Sequence, residues 1–158
     1  EAAGDIHDSP AVATVGTDGT VTILKSGTAK ITAEAGATQN YVKTSASFDL
    51  TVDKAQGTLV NKDYPTQFTY GKTVPTPKAE NFTTNNPDGA FDYYWVTETG
   101  TMLDAGANPT LAGTYTLYAT LTEGTNHTAA NLSLPVTIQK ANQTANIAVV
   151  NETISEAR

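Results

Sequence analysis

The sequence predicts an all-β protein that contains two tandem copies of one β-sandwich unit. Apolar residues alternate with polar ones in short runs, and no window shows the 3.6-residue apolar period of a helix. Threonine, which favours strands, is the commonest residue. The stretch 26–55 also recurs without a gap 86 positions later, as residues 112–141. The repeat therefore indicates one structural unit written twice.

Each copy of the repeat reads as two β-strands joined by a loop. In the first copy, Ile31, Phe48, Leu50 and Val52 fall on one face of the two strands. The same face of the second copy is apolar or aromatic throughout: Tyr115, Leu117, Ala119, Leu121, Leu132, Leu134, Val136 and Ile138. Because successive side chains of a strand point to opposite sides, we expect this face to be inward in both copies.

Upstream of the first copy, the sequence predicts a short hairpin. Residues 11–15 and 20–24 alternate like strands, and Asp18-Gly19 between them is a tight-turn signal, since such turns need residues that tolerate positive φ. Residues 1–10 are polar, and we expect them to be irregular.

These residues resemble a known family. Pro10-Ala-Val-Ala-Thr-Val15, Asp18-Gly-Thr-Val21 and Ser26-Gly-Thr-Ala-Lys-Ile-Thr-Ala33 occur in the order and at the spacing of group 2 bacterial immunoglobulin-like domains. The resemblance covers residues 10–54. It implies an immunoglobulin-like β-sandwich used as a tandem module in cell-surface proteins, adhesins and some phage structural proteins.

The second unit, residues 56–141, is predicted to be a complete sandwich of the same class. Its candidate strands include residues 57–60, 67–70 and 91–96, whereas Pro75 and Pro77 interrupt the segment between the last two. This half resembles other bacterial repeats with a Tyr-Gly, Ala-Gly-Thr-Tyr and Lys-Ala pattern. The resemblance implies a buried Trp95 on a central strand and a Tyr115 hydroxyl bonded at a corner. Pro135 has no amide hydrogen, so its strand should be a local edge or bulged.

The repeat is out of phase with the ends of the chain. The first unit, residues 1–55, is expected to lack its opening strands, because a full copy would begin before Glu1. Residues 142–158 form a tail that matches the start of a further repeat. Within it, Ile147, Ala148, Val149 and Val150 are strand-like, and we expect them to act as a donor strand that completes the first unit of another copy. A fragment of a longer array is the alternative explanation.

Composition excludes several classes of function. The net charge is −7 with nine Lys and Arg and no basic cluster, which argues against nucleic acid and anionic membrane partners. The chain has no cysteine, so disulfides, zinc–thiolate sites and thiol nucleophiles are excluded. No stretch is long and apolar enough to span a membrane. The absence of cysteine fits a bacterial surface protein or a cytosolic one, and the resemblance favours the first, so we expect an extracellular or bacterial cell-surface location.

The sequence predicts no enzyme. Its two histidines, His7 and His127, stand outside any catalytic motif, and His127 lies in a loop shared by both repeats. Asn40 and Asn126 occupy matching positions of that loop, and we expect their side chains to cap it. No cofactor is predicted. Calcium is the alternative, with Asp53, Asp63 and Asp88 as candidate ligands, although they lack the dense pattern of strong sites.

The sequence leaves three functions open. The first is a structural module whose partners are neighbouring repeats or further copies of itself. The second is an adhesin or carbohydrate-binding module for a glycan or host surface protein. Its candidate ligand-binding residues are the only aromatic concentration in the chain: Tyr93, Tyr94, Trp95 and Tyr118. The third is an accessory domain of a secreted enzyme.

Overall fold

The structure, a computed structural model, describes the backbone of residues 3–6 and the whole of residues 12–147. The described part is all-β, as predicted, with a single 3₁₀ turn at Ala79–Asn81. The strands of the first unit are β1 (Ala3–Ile6), β2 (Ala13–Val15), β3 (Val21–Ile23), β4 (Gly27–Ala35) and β5 (Thr44–Val52). Those of the second unit are β6 (Leu59–Asn61), β7 (Gln67–Thr69), β8 (Phe82–Thr84), β9 (Phe91–Thr97), β10 (Gly113–Leu121) and β11 (Ala130–Gln139).

The first unit contains a three-stranded sheet, β1-β4-β5, and the separate hairpin β2-β3. The strand β1 corrects the expectation that residues 1–10 are irregular, because its backbone pairs antiparallel with β4. The predicted hairpin is present. Its last strand pair is Val15 with Val21, and the amide of Gly16 still donates to the carbonyl oxygen of Thr20 at 2.8 Å, so the turn consists of residues 17–19 rather than of Asp18-Gly19 alone. Gly19 takes the predicted positive φ of 85° there.

The second unit places a four-stranded sheet, β7-β11-β10-β9, against the two-stranded sheet β6-β8. Strand β7 runs parallel to β11, and the other neighbours in this sheet are antiparallel. The two sheets enclose a core whose centre is Trp95, Leu117 and Val136, each at most 1 % exposed. The buried core residues are Leu59, Tyr64, Val74, Phe82, Trp95, Tyr115, Leu117, Ala119, Leu121, Ala130, Val136 and Ile138.

Two local expectations for this unit are confirmed. The Tyr115 hydroxyl donates to the carbonyl oxygen of Leu111 at 3.1 Å, a corner bond of the kind predicted. Pro135 lies opposite Thr116 of β10, while β7 pairs only with Thr137–Gln139. Among the described residues, β11 is therefore an edge at Pro135, where a missing amide hydrogen costs no ladder bond.

The hairpins β4-β5 and β10-β11 share one backbone. Gly27–Ala35 and Gly113–Leu121 are the same length and lie 86 positions apart. Gly27 pairs with Val52 as Gly113 pairs with Ile138, and Ala35 pairs with Thr44 as Leu121 pairs with Ala130. Every pair between these ends also matches, so the internal repeat in the sequence is a repeat of strand register.

The two hairpins differ in what covers their inner face. Phe48 was expected to be inward, but its side chain is 57 % exposed, and Leu50 and Val52 are only partly buried. In the second unit, β6 and β8 contribute Leu59 and Phe82 to the core over this face. The described residues of the first unit include no counterpart of those strands, which explains the exposed Phe48.

Candidate functional site

The predicted aromatic group is divided between the two faces of β9 and β10. Trp95 is 1 % exposed, and its Nε1 donates to Oδ1 of Asn108 at 3.2 Å. Tyr93 is partly buried and packs against the core, with its ring centroid 6.5 Å from that of Phe91. Both side chains belong to the inner face. This corrects the inclusion of Tyr93 and Trp95 among the candidate ligand-binding residues, and the prediction that Trp95 is a core residue is confirmed. The expected central position of its strand is wrong, because β9 is an edge strand of the four-stranded sheet.

Tyr94 and Tyr118 form a stacked pair on the opposite, outer face of the same sheet. They are cross-strand partners, with ring centroids 4.9 Å apart and an interplanar angle of 11°. Tyr94 is 37 % exposed, and Tyr118 is half-buried. The hydroxyl-bearing residues Thr116 and Thr120 flank Tyr118 on its own strand, two positions away on each side. This outer-face pair offers an apolar surface with polar neighbours, which suits stacking with a ligand ring.

The three aspartates proposed for calcium do not form a cluster. Oδ1 of Asp63 accepts a hydrogen bond from Nδ2 of Asn81 at 3.0 Å. Asp53 borders a hollow that Asn126 also lines, and Asp88 packs close to Gly124. Within the described ranges, no three acidic, histidine or cysteine side chains come together in an arrangement that could hold a metal ion.

The two units meet at a hydrogen-bonded junction. We define it as the contact of Ser26 and the linker, residues 54–57, with the loop of residues 123–128. The amide of Ala55 donates to the carbonyl oxygen of Asn126 at 2.8 Å, and the amide of Thr128 donates to that of Ala55 at 2.9 Å. The linker is therefore held as a short parallel bridge, with Ala55 opposite His127.

Side chains add to the backbone bonds of the junction. Oδ1 of Asn126 accepts from the amide of Ser26 at 2.9 Å, and the Ser26 hydroxyl donates to the carbonyl oxygen of Thr125. Nζ of Lys54 lies 3.1 Å from Oε1 of Glu123. The expectation that Asn126 caps its own loop is thus corrected, since its side chain reaches the first unit. Only the recurrence of Asn40 at Asn126 marked this residue in the sequence.

Gly57 allows the closest approach in the junction. A Cβ at this position would stand 2.0 Å from the carbonyl oxygen of Thr128, and the Gly57 amide donates to Oγ1 of the same threonine at 3.0 Å. No larger residue fits without moving the linker. The sequence reading treated Gly57 only as the start of a strand and missed this role.

The inner face of β4-β5 forms the third exposed surface. A shallow apolar hollow lies at its far end, lined by Ala33, Glu34, Ala35, Thr44, Ser45 and Ala46. Phe48 continues the same face. Of the predicted donor strand, Ile147 is described and is 84 % exposed. Ala148, Val149 and Val150 lie outside the described residues.

Two buried polar side chains, Tyr64 and Asn86, form hydrogen bonds within the second unit. The Tyr64 hydroxyl donates to the carbonyl oxygen of Pro75 at 2.5 Å. Burial, with a smaller contribution from nearby Tyr93, raises the pKa of Tyr64 above its ordinary value, so this tyrosine stays neutral. Asn86, which the sequence reading did not single out, is 1 % exposed and donates from Nδ2 to the carbonyl oxygen of Thr122 at 3.0 Å.

No protein-family model matches the chain, and no curated protein matches it either. In the part of the chain that the structure describes, no helix has the length and apolar character needed to cross a membrane.

Proposed function

We propose that this chain is a non-catalytic structural module of a bacterial cell-surface or extracellular protein, serving as a spacer, stalk or filament repeat. The observation that carries the proposal is the repeated hairpin, with one register in β4-β5 and β10-β11. A chain that repeats its backbone while changing its surface residues is typical of tandem arrays, in which each unit supplies length and contacts to its neighbours.

The proposal includes an immunoglobulin-like identity for the units. Trp95 is buried on β9, and the Tyr115 hydroxyl bonds to a backbone carbonyl four residues upstream. Both features are common in immunoglobulin-like sandwiches. The resemblance of residues 10–54 to group 2 bacterial domains supports the same assignment.

The junction supports the role of a spacer. Ala55 is bonded on both sides, through its amide to Asn126 and through its carbonyl to Thr128. Ser26 adds a contact on a second chain segment, since its amide bonds to Oδ1 of Asn126. Two separated attachment points restrict bending more than a single linker strand does, so the module transmits a fixed spacing between its units.

Distance measurements between the units test the spacer role. Ser47 and Ser133 are exposed, lie at matching positions of β5 and β11, and can each be replaced by cysteine in a chain that has none. With nitroxides at both sites, we expect a single narrow distance distribution by electron double resonance. The variant Asn126→Ala should broaden it, whereas Asn131→Ala, an exposed asparagine on β11, should not. A broad distribution in the unmodified junction contradicts the spacer role.

We further propose that copies join head to tail by strand addition. The acceptor is the β4-β5 face around Phe48, together with the edge of β5, where the second unit has β7 against β11. The donor is the segment Ile147, Ala148, Val149 and Val150 of another copy. An added strand would bury apolar surface and complete backbone pairing at once.

Removing the tail tests strand addition. We expect the full chain to show mass above the monomer in sedimentation equilibrium, and removal of residues 142–158 to lower that mass at the same protein concentration. Val149→Asp, in the full-length chain, should lower the mass as well, because it places a charge in the donor strand. An unchanged monomer before and after removal of the tail contradicts the proposal.

A second candidate function rests on Tyr94 and Tyr118. Their exposed stacked arrangement favours a binding module for a glycan or a host surface protein. If this function holds, a glycan array probed with the chain should show binding that both Tyr94→Ala and Tyr118→Ala abolish. The control Tyr70→Ala removes a tyrosine that is 51 % exposed outside this sheet face and should leave binding unchanged. Binding that survives both substitutions, or no binding at all, contradicts this candidate.

A further inference from the structure

We propose that a second copy of this chain docks through a further junction of the same kind. Each copy carries both halves of that junction, one on its first unit and one on its second. One half is the loop of residues 38–42, and the other is the surface formed by Ala112 and Ala141. This inference rests on the proposed function, because it names the contact by which the structural module meets its neighbour.

The existing junction defines what each half must supply. One side presents the amide of Ser26 and both backbone groups of Ala55. The other side presents the carbonyl oxygen and Oδ1 of Asn126, and the amide of Thr128. The three hydrogen bonds between these groups use only backbone atoms and the side chain of one asparagine. Any pair of units that keeps the asparagine can therefore form them.

The loop of residues 38–42 repeats the accepting side. Asn40, Tyr41 and Val42 stand 86 positions before Asn126, His127 and Thr128. The shape of the loop is also repeated, since the amide of Thr38 donates to the carbonyl oxygen of Tyr41 at 2.8 Å, as that of Gly124 does to His127 at 3.0 Å.

The loops of residues 38–42 and 124–128 differ in solvent exposure. Tyr41 is 77 % exposed and Val42 is 85 % exposed, whereas His127 and Thr128 are partly buried beneath the linker. Two large apolar side chains this exposed, side by side, indicate a surface that a partner covers.

The opposite end of the second unit repeats the donating side. Ala112 and Ala141 are the counterparts of Ser26 and Ala55. An open hollow occupies this end, lined by Tyr70, Ala112, Lys140, Ala141, Asn142 and Gln143. Its counterpart at the end of the first unit is lined by Ser26 and Ala55 together with Asn126, which enters from the following unit. The hollow is therefore the place where Asn40 of another copy would sit.

The two junctions would differ in side-chain contacts. Ala112 lacks the hydroxyl of Ser26, Val42 lacks that of Thr128, and Ala37 stands where Glu123 pairs with Lys54. Gln143 also replaces Gly57, whose position has no room for a Cβ. The linker must thus leave the original path at Gln143. The contact between copies should be weaker than the internal one and limited to Asn40, Val42, Ala112 and Ala141.

Intermolecular paramagnetic relaxation detects such a weak contact. The variant Lys140→Cys carries a nitroxide on an exposed side chain that the proposed bonds do not use, and is mixed with ¹⁵N-labelled full-length chain. We expect line broadening at amides 38–43 of the labelled chain. A nitroxide at Lys30→Cys, on the exposed outer face of β4, is the control and should leave these amides sharp.

Substitutions in the labelled chain sharpen the result. Asn40→Ala should reduce the broadening severalfold, while Asn40→Asp, which keeps an oxygen at the Oδ1 position, should retain most of it. Val42→Pro removes the donating amide and should also reduce it, whereas Val42→Ala should not. If nitroxides at 140 and 30 act alike on residues 38–43, or if Asn40→Ala changes nothing, the proposal is wrong.

Repeating the experiment with a nitroxide-bearing chain shortened to residues 1–143 separates this inference from strand addition. This chain keeps every residue that lines the hollow and lacks the donor strand, so broadening at residues 38–43 should persist in it. Loss of the broadening there shows that the tail, and not the half-junction, holds the copies together. A failure of strand addition appears instead in the sedimentation measurement, independently of the broadening.

Discussion

The hairpins β4-β5 and β10-β11 have the same strand bounds and the same register, yet their environments differ sharply. Leu117 is fully buried, and its counterpart Ile31 is 7 % exposed, so the centre of both hairpins is covered. Farther along, Ala119 is fully buried whereas its counterpart Ala33 is exposed. Register is thus set within the hairpin, by alternation and the connecting loop, while burial is set by the strands that other segments bring over it.

The side chains of the two hairpins follow this difference. Leu121 and Leu132 in the second unit correspond to Ala35 and Ala46 in the first. Smaller side chains leave less apolar surface on the face that the described residues do not cover. Phe48 is the exception, because it keeps a large aromatic side chain at 57 % exposure. Covering the hairpin would therefore remove more apolar surface from water at Phe48 than at the smaller residues of this face.

The comparison predicts the largest effect for truncation of a buried core side chain. Leu117→Ala should lower the free energy of unfolding of the second unit by about 2–5 kcal/mol, because it leaves a cavity in a closed core. Phe48→Ala, on the open face of the first unit, should cost less than about 1 kcal/mol, since most of its side chain is already in water. Urea unfolding followed by NMR peaks of each unit measures both. Equal losses would show that the two hairpins are equally covered.

The junction provides the next test. Gly57→Ala should destabilise the contact between the units by about 1–3 kcal/mol, because its Cβ would collide with the carbonyl oxygen of Thr128. Gly36→Ala is a matched control, with open space around the added Cβ. It should change stability by less than about 1 kcal/mol. Faster amide exchange at Ala55 and Thr128 in the first variant alone is the expected result, and equal exchange in both variants contradicts it.

Alkaline pH should affect the second unit selectively. Tyr64 has a raised pKa in the folded state, so its contribution to stability is complete below the unfolded value of about 10 and is lost as the pH rises above it. The loss can reach at most about 1.4 kcal/mol per pH unit. Thermal unfolding of the second unit at pH 9, 10 and 11 measures the slope. Tyr64→Phe should remove it, and a slope that persists in this variant assigns it to other groups.

The smallest effect is expected at the ion pair between the units. Glu123→Gln should weaken the junction by about 0.2–1 kcal/mol, because the pair is partly exposed and screened by salt. The difference between variant and parent should shrink as the ionic strength is raised. Glu34→Gln, which breaks a pair with Lys43 inside the first unit, is the control and should leave amide exchange at Ala55 unchanged.

Local pattern was enough to predict most of the strands. Alternation predicts β4, β5, β10 and β11, and the 86-residue spacing of the repeat predicts which of these strands correspond. It failed for β1, because a short polar stretch pairs with β4 through backbone groups that carry no sequence signal. It also failed for the orientation of Phe48, since alternation identifies the face of a residue but not whether another sheet lies above it.

The candidate site was less predictable than the fold. Composition drew attention to Tyr93, Tyr94, Trp95 and Tyr118, but neighbouring strand residues must point to opposite faces, and the group divides accordingly. The junction was missed because its bonds join Ser26 and Ala55 to a loop that lies about 100 residues after the first and about 70 after the second, mostly through backbone atoms. The recurrence of Asn40 at Asn126 was the one usable signal, and its meaning required the position of the linker.

Native-state hydrogen exchange, resolved for each amide, tests most directly whether one backbone occurs in two environments. At low protein concentration, the same set of amides should be protected in residues 27–52 and 113–138, offset by 86 positions, with slower exchange in the second hairpin because its face is closed. Protected amides that fall at different positions in the two hairpins would contradict the shared register, and equal exchange rates would contradict the difference in cover.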